Sequence, residues 1–162
     1  MKLLFLIEKL KSSEVFQDYK EKNPSAFFFA GFFSIDLNRV NNSYQLDYSN
    51  ASGEIMTFSL NSEIKAVPAE PLSKGMPNAI KDELNIDIDN MEEIAKQEAE
   101  KKGMKLSKII AILQNIEGKV IWSLTCMHGM NILKLKIDSA SGEILSSETL
   151  NLFDVAKAIK KK

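Results

Sequence analysis

The most regular pattern of apolar and polar positions lies between residues 119 and 147. Apolar side chains alternate there with polar or mixed ones, which is typical of strands that bury one face. The alternation stops at His128-Gly129 and again over residues 138–142, where glycine can take the positive φ of a tight turn. The pattern predicts four antiparallel strands over residues 108–149, and helical spacing over residues 91–102 predicts a helix in front of them.

The segment before this helix resembles the first positions of a calcium-binding loop, because Asn85, Asp87 and Asp89 occupy alternate positions. Such a loop needs glycine where this chain has Asn90 and glutamate where it has Lys96. We therefore interpret the segment as the start of a helix, with Asp89 or Asn90 as its N-cap.

The N-terminal part repeats the order of helix and strands. Leucine and isoleucine at helical spacing over residues 3–10 predict a helix, and Ser12-Ser13 predicts the cap of a second helical segment. Residues 26–35 are apolar on both faces and predict a central, buried strand, with a partner-binding surface as the alternative. Alternation over residues 44–48 and 56–60 predicts two more strands.

These elements divide the chain into two halves of α+β class. Residues 1–61 form a helix plus a three-stranded antiparallel half, and residues 89–162 form a helix plus a four-stranded half with a C-terminal helix. Prolines and a glycine weaken the pattern over residues 62–88, which we interpret as a connector. We expect the halves to share one curved sheet with helices on one side. The C-terminal helix is predicted from apolar residues on one face: Leu152, Val155, Ala156 and Ile159.

Composition excludes several classes of function. The 162 residues include 21 basic and 22 acidic ones, so the net charge of -1 provides no broad positive field, and nucleic acid is not an expected partner. A single cysteine and a single histidine cannot build a zinc site, and we predict no metal, cofactor or catalytic residues. The initial apolar run ends at Glu8, too early for a secretory signal, and no stretch is long enough to span a membrane. We therefore expect a cytoplasmic protein.

Three residues of the predicted sheet could carry chemistry or contacts. Cys126 and His128 lie two positions apart on a strand, and such a pair can form a thiolate nucleophile when a third group orients it. We favour a half-buried cysteine beside a turn histidine, and a cysteine-dependent enzyme ranks last among the functions considered. Trp122 is the sole tryptophan and is interpreted as core, with an interface contact as the alternative.

Residues 90–148 resemble a PepSY domain. The resemblance rests on the alanine-bearing helix with Ile94-Ala95 and Glu98-Ala99, the aromatic residue in the strand segment Val120-Ile-Trp122, and the segment 137–145, IDSASGEIL. The pentapeptide of residues 140–144, ASGEI, also occurs at residues 51–55, which suggests tandem repeats.

The resemblance implies a function without catalytic residues. PepSY-like domains are associated with peptidase propeptides and with inhibitory or regulatory binding, and their tandem copies resemble the fold of β-lactamase inhibitory protein. We therefore expect a module that binds a protein or peptide on the uncovered face of its sheet. The alternative is a structural protein that forms a homo-oligomer through residues 27–33 and the C-terminal helix.

Overall fold

The structure, a computed structural model, describes residues 1–38, 40–71, 75–81 and 84–160. In these residues two helices precede a first group of four strands, a third helix precedes a second group of four strands, and a fourth helix follows it. The helices are α1 (Leu3–Lys11), α2 (Glu14–Lys22), α3 (Ile88–Lys101) and α4 (Leu152–Lys160). The strands are β1 (Phe27–Asp36), β2 (Ser43–Ser49), β3 (Ile55–Leu60), β4 (Ile64–Ala69), β5 (Lys108–Ile116), β6 (Lys119–His128), β7 (Asn131–Asp138) and β8 (Ile144–Asn151).

All eight strands belong to one antiparallel sheet, in the order β4-β3-β2-β1-β5-β6-β7-β8. Each half contributes a meander of four neighbouring strands, and β1 pairs with β5 to join the two halves. The α+β class and the shared sheet predicted from the sequence are therefore confirmed, although the sheet outweighs the helices. Whether the halves are tandem repeats stays a prediction.

Helices α1, α2 and α3 pack on one face of the sheet, which we call the covered face. Their apolar side chains enter the same core as every second residue of the strands, as amphipathic elements require. An aromatic cluster fills the core of the N-terminal half, with rings 5.0 to 6.1 Å apart: Phe16, Tyr19, Phe28, Tyr48 and Phe58. We call the opposite face of the sheet the open face.

The connector predicted over residues 62–88 needs correction, since its first part forms strand β4. Ile64 and Ala66 are partly buried against the core, whereas Lys65 and Val67 are exposed. Pro68 suggested a break in regular structure, yet β4 is an edge strand, a position in a sheet where proline is tolerated. The N-terminal half therefore has four strands rather than the predicted three.

The predicted cap of α3 was also wrong. Asp87 is the N-cap, and its carboxylate accepts from the backbone N–H of Ile88 at 2.8 Å while the side chain of Asn90 accepts from the N–H of Asp87 at 3.0 Å. The same carboxylate accepts from the N–H of Leu3 at 2.8 Å, at the first turn of α1. One buried carboxylate thus satisfies donors at the starts of two helices.

Helix α3 otherwise follows its prediction. Ala95 and Ala99 are buried, and Gly103 has a φ of 71° directly after the C-cap, where a left-handed residue satisfies the final carbonyls. Helix α4 also occurs where it was predicted, but Leu152 and Ile159 are exposed, and the side chain of Val155 lies outside the described residues.

Candidate functional site

The cysteine and histidine weighed as a catalytic pair differ in environment. Cys126 is fully buried on the covered face, and burial raises the pKa of its thiol to about 12. His128 lies at the end of β6, where ring atom Nδ1 is hydrogen-bonded to the backbone carbonyl of Lys105. A nucleophilic cysteine needs a lowered pKa, so the surroundings of Cys126 disfavour the thiolate.

Trp122 belongs to the core, as its pattern predicted. Its side chain has no exposed surface, its indole N–H donates to the carbonyl of Ile86 at 2.8 Å, and its ring centroid lies 5.4 Å from that of Phe33. The residue therefore ties the segment before α3 to the centre of the sheet, and it contributes nothing to the open face.

The phenylalanine-rich segment, residues 27–33, has side chains on both faces of the sheet. Phe28 and Phe33 are both buried on the covered face although an odd number of positions separates them. The register of β1 against β2 shifts between Phe28 and Ala30, because Phe29 forms a β-bulge. The extra residue shifts the alternation by one position, so that Phe28 and Phe33 lie on the same face. Phe32 points to the open face and is 39% exposed. The core interpretation thus holds for most of the segment, and Phe32 is an exception.

A cavity of about 480 Å³ lies on the open face of the N-terminal half. Its floor consists of β1, β2, β3 and β5, and residues 69–71 and 75–78 form one side. The apolar part of its lining includes Phe29, Phe32, Ile55, Met76, Pro77 and Ile116, and the polar part includes Gln45, Asp47, Thr57, Asn78 and Gln114. Its volume lies within the range of small-ligand pockets, roughly 300 to 1,000 Å³.

Three contacts hold residues 76–80 beside the sheet. The N–H of Ile80 donates to the carbonyl of Phe28 at 2.9 Å, and the side-chain amide of Asn115 donates to the carbonyl of Ala79 at 2.8 Å. The hydroxyl of Ser49 lies 3.8 Å from the sulfur of Met76. Because Ile80 is itself buried, this wall of the cavity is fixed to the core.

Asp47 is the half-buried carboxylate on the cavity floor. The hydroxyl of Thr57, its partner across the β2–β3 ladder, donates to Oδ1 at 2.8 Å, and the amide of Gln45 donates to the same oxygen at 3.4 Å. Burial raises the pKa of Asp47, and these two hydrogen bonds lower it in part. Among the described residues, none donates to Oδ2, and that oxygen is not sealed from solvent.

No sequence pattern indicated this cavity beyond the alternation that puts Asp47 on the face opposite Leu46 and Tyr48. The described part of the lining is acidic, since Glu70 is the other ionisable side chain there and neither lysine nor arginine occurs among those residues. Lysines occur instead on the open face of the C-terminal half, at Lys134 and Lys136. Within the described residues, no group of three histidine, cysteine or acidic side chains is arranged to hold a metal ion.

The fold places the chain in the α+β class, with a single eight-stranded antiparallel sheet and helices α1, α2 and α3 on one of its faces. No protein-family model and no curated protein sequence matches the chain. In fold the chain is similar to the crystal structure of a putative lipoprotein from Clostridium difficile 630, with a TM-score of 0.57 and 16% sequence identity. The match covers 85% of this chain and 91% of that chain, and at this identity it shows the fold alone. The PepSY resemblance stays a prediction.

Within the described residues, no helix has the length and apolar character needed to cross a bilayer.

Proposed function

We propose that the protein is a non-catalytic module that binds an extended segment of a partner protein or peptide on its open face. The observation that carries the proposal is the cavity of about 480 Å³ beside Phe32, because a cavity of this size accepts a few side chains of a partner. A large aromatic residue that stays partly exposed at the centre of a sheet is a typical anchor for such contacts.

The PepSY resemblance supports the same proposal, since that family is associated with regulatory binding of peptidases. The raised pKa of Cys126 supports a non-catalytic role, because the thiol stays protonated at neutral pH. The cytoplasmic location expected from the sequence is part of the proposal. The structural neighbour is named as a lipoprotein, so cell fractionation with an antibody against the native protein is the test of location.

The proposal is tested by affinity capture with paired variants. Phe32→Ser removes the aromatic group from the open face, and Phe5→Ser is the matched control, because Phe5 is 57% exposed on α1 at the other side of the molecule. We expect the wild type and Phe5→Ser to retain one partner in stoichiometric amount and Phe32→Ser to lose it. Equal recovery by all three proteins would contradict binding on the open face.

A second candidate is self-assembly, which the exposure of α4 favours. Phe153 is 62% exposed and Ile159 is 68% exposed on this short helix, and large exposed apolar side chains are common at subunit contacts. Light scattering of the wild type and of Phe153→Ser distinguishes the candidates. A dimer or larger species that dissociates in Phe153→Ser favours assembly, and a monomer in both cases excludes it.

A further inference from the structure

We infer that the open-face cavity recognises a primary ammonium group on an apolar stem, as in a lysine side chain, with Oδ2 of Asp47 as the acceptor. The inference rests on the proposed function and specifies which side chain of the partner enters the cavity.

The cavity offers an anionic floor and apolar walls. Phe29, Phe32 and Met76 can pack against methylene groups, whereas Asp47 lies among them as a half-buried carboxylate. The described part of the lining contains no basic side chain, and no described lysine, arginine or histidine forms an ion pair with Asp47. A ligand that combines a methylene stem with a cationic tip matches both features.

The hydrogen bonds of Asp47 distinguish ammonium from guanidinium. A carboxylate oxygen has about two lone-pair positions, and those of Oδ1 are used by the hydroxyl of Thr57 and the amide of Gln45. A guanidinium binds most strongly with two parallel bonds to both oxygens, which the donors already at Oδ1 disfavour. An ammonium is a compact donor that needs only Oδ2, so lysine is favoured over arginine.

The unfavourable burial of the Asp47 carboxylate in the unbound protein also supports a cationic ligand. Burial raises the pKa of Asp47, which means that its charged form is less stable here than in water. A cation bound at Oδ2 would compensate that charge in the occupied state. Residues that are unfavourable for stability are common at binding sites.

Nuclear magnetic resonance titration of the full chain tests the inference with three probes. They are the N-acetyl, N-methylamide derivatives of lysine, norleucine and arginine, of which norleucine has a similar stem without the ammonium group. We expect the lysine derivative to shift the backbone amides of the cavity and to bind roughly tenfold more tightly than norleucine, the gain from one charge-assisted hydrogen bond. Arginine should bind more weakly than lysine.

Two variants and a control connect the selectivity to Asp47. Asp47→Asn keeps the side-chain volume and should abolish the preference for lysine over norleucine, whereas Glu70→Gln, which removes the other carboxylate of the lining, should keep it. Thr57→Val frees one position on Oδ1, so the ratio of arginine to lysine affinity should rise. This variant tests the geometry even if Asp47→Asn folds poorly.

Equal binding of lysine and norleucine by the wild type, or an unchanged preference in Asp47→Asn, would overturn the inference, as would the absence of binding by any probe. Stronger binding of arginine than of lysine would overturn the role of the occupied Oδ1. These outcomes differ from a failure of the proposed function. If the proposed function is wrong, partner capture does not depend on Phe32. If only this inference is wrong, capture still depends on Phe32, but the cavity shows no preference for lysine.

Discussion

The buried thiol of Cys126 should make the free energy of unfolding depend on pH in alkaline solution. The pKa of an ordinary cysteine thiol is 9.0 and that of Cys126 is about 12, so between these values the unfolded chain loses the thiol proton and the folded chain keeps it. The unfolded state then binds fewer protons, and the free energy of unfolding falls as pH rises. The stabilisation is complete below pH 9.0 and is lost toward pH 12.

The size of the expected decrease in the free energy of unfolding follows from the titration of the Cys126 thiol in the unfolded chain. Between pH 8 and pH 10 the thiol of the unfolded chain ionises almost completely, which lowers the free energy of unfolding by about 1.4 kcal/mol. Lysines and tyrosines also titrate in this range, so the wild type alone does not isolate the effect. The perturbation is therefore Cys126→Ala, which lacks the thiol and keeps the other ionisable groups.

Urea unfolding of both proteins at the two pH values measures the effect. Cys126→Ala should be less stable at pH 8, because it leaves a cavity in the core, and it should lose about 1.4 kcal/mol less than the wild type on going to pH 10. A constant difference between the two proteins at both pH values would refute the reasoning. It would mean that the thiol ionises as readily in the folded protein as in the unfolded chain.

Three further predictions concern stability, each measured by urea unfolding at neutral pH. The Tyr19 hydroxyl is buried without a hydrogen-bond partner among the described residues, so Tyr19→Phe should raise the free energy of unfolding by roughly 1 kcal/mol. Asp87→Ala removes the acceptor shared by two helix starts and should cost about 1 to 3 kcal/mol. In Gly31→Ala the new Cβ would lie 2.6 Å from the ring of Phe33, which should cost about 1 to 3 kcal/mol, and adding Phe33→Leu should recover part of the loss.

Each of these has a clear contrary result. A less stable Tyr19→Phe would mean that the hydroxyl has a partner in solution. If Asp87→Ala lowers the free energy of unfolding no more than the same substitution at an exposed aspartate, the two helix starts do not depend on the Asp87 carboxylate. If Phe33→Leu adds its own cost to that of Gly31→Ala without recovery, the ring contact is not the cause.

The sequence predicted elements wherever a pattern is local. Alternation over β6 and β7, helical spacing in α3 and the turn glycines depend on neighbours in the chain, and these predictions were confirmed. Strand β4 was missed because Pro68 has opposite meanings at the edge and in the interior of a sheet, and only the strand order distinguishes them. The cap at Asp87 was missed because Asp87, Asp89 and Asn90 are all residue types that cap helices, and they lie within four positions of one another.

The cavity could not be predicted because it depends on register and on distant contacts. The bulge at Phe29 lies in a run without alternation, so the sequence does not show which phenylalanine changes face. The pairing of Asp47 with Thr57 depends on the register of β2 against β3. The wall of the cavity depends on Asn115, which contacts Ala79 from the other half of the chain.

The pairing of β1 with β5 has a consequence for synthesis on the ribosome. Strand β1 ends at Asp36 and its second neighbour, β5, ends at Ile116, so one edge of the phenylalanine-rich strand stays unpaired while the intervening residues are translated. At typical rates of about 5 to 20 residues per second this interval lasts on the order of 4 to 16 s. During that time a nascent chain exposes an apolar strand edge, which makes it a natural client for a ribosome-associated chaperone. Slow translation across the connector would prolong the exposure, and the yield of folded protein should therefore depend on the codons of that region.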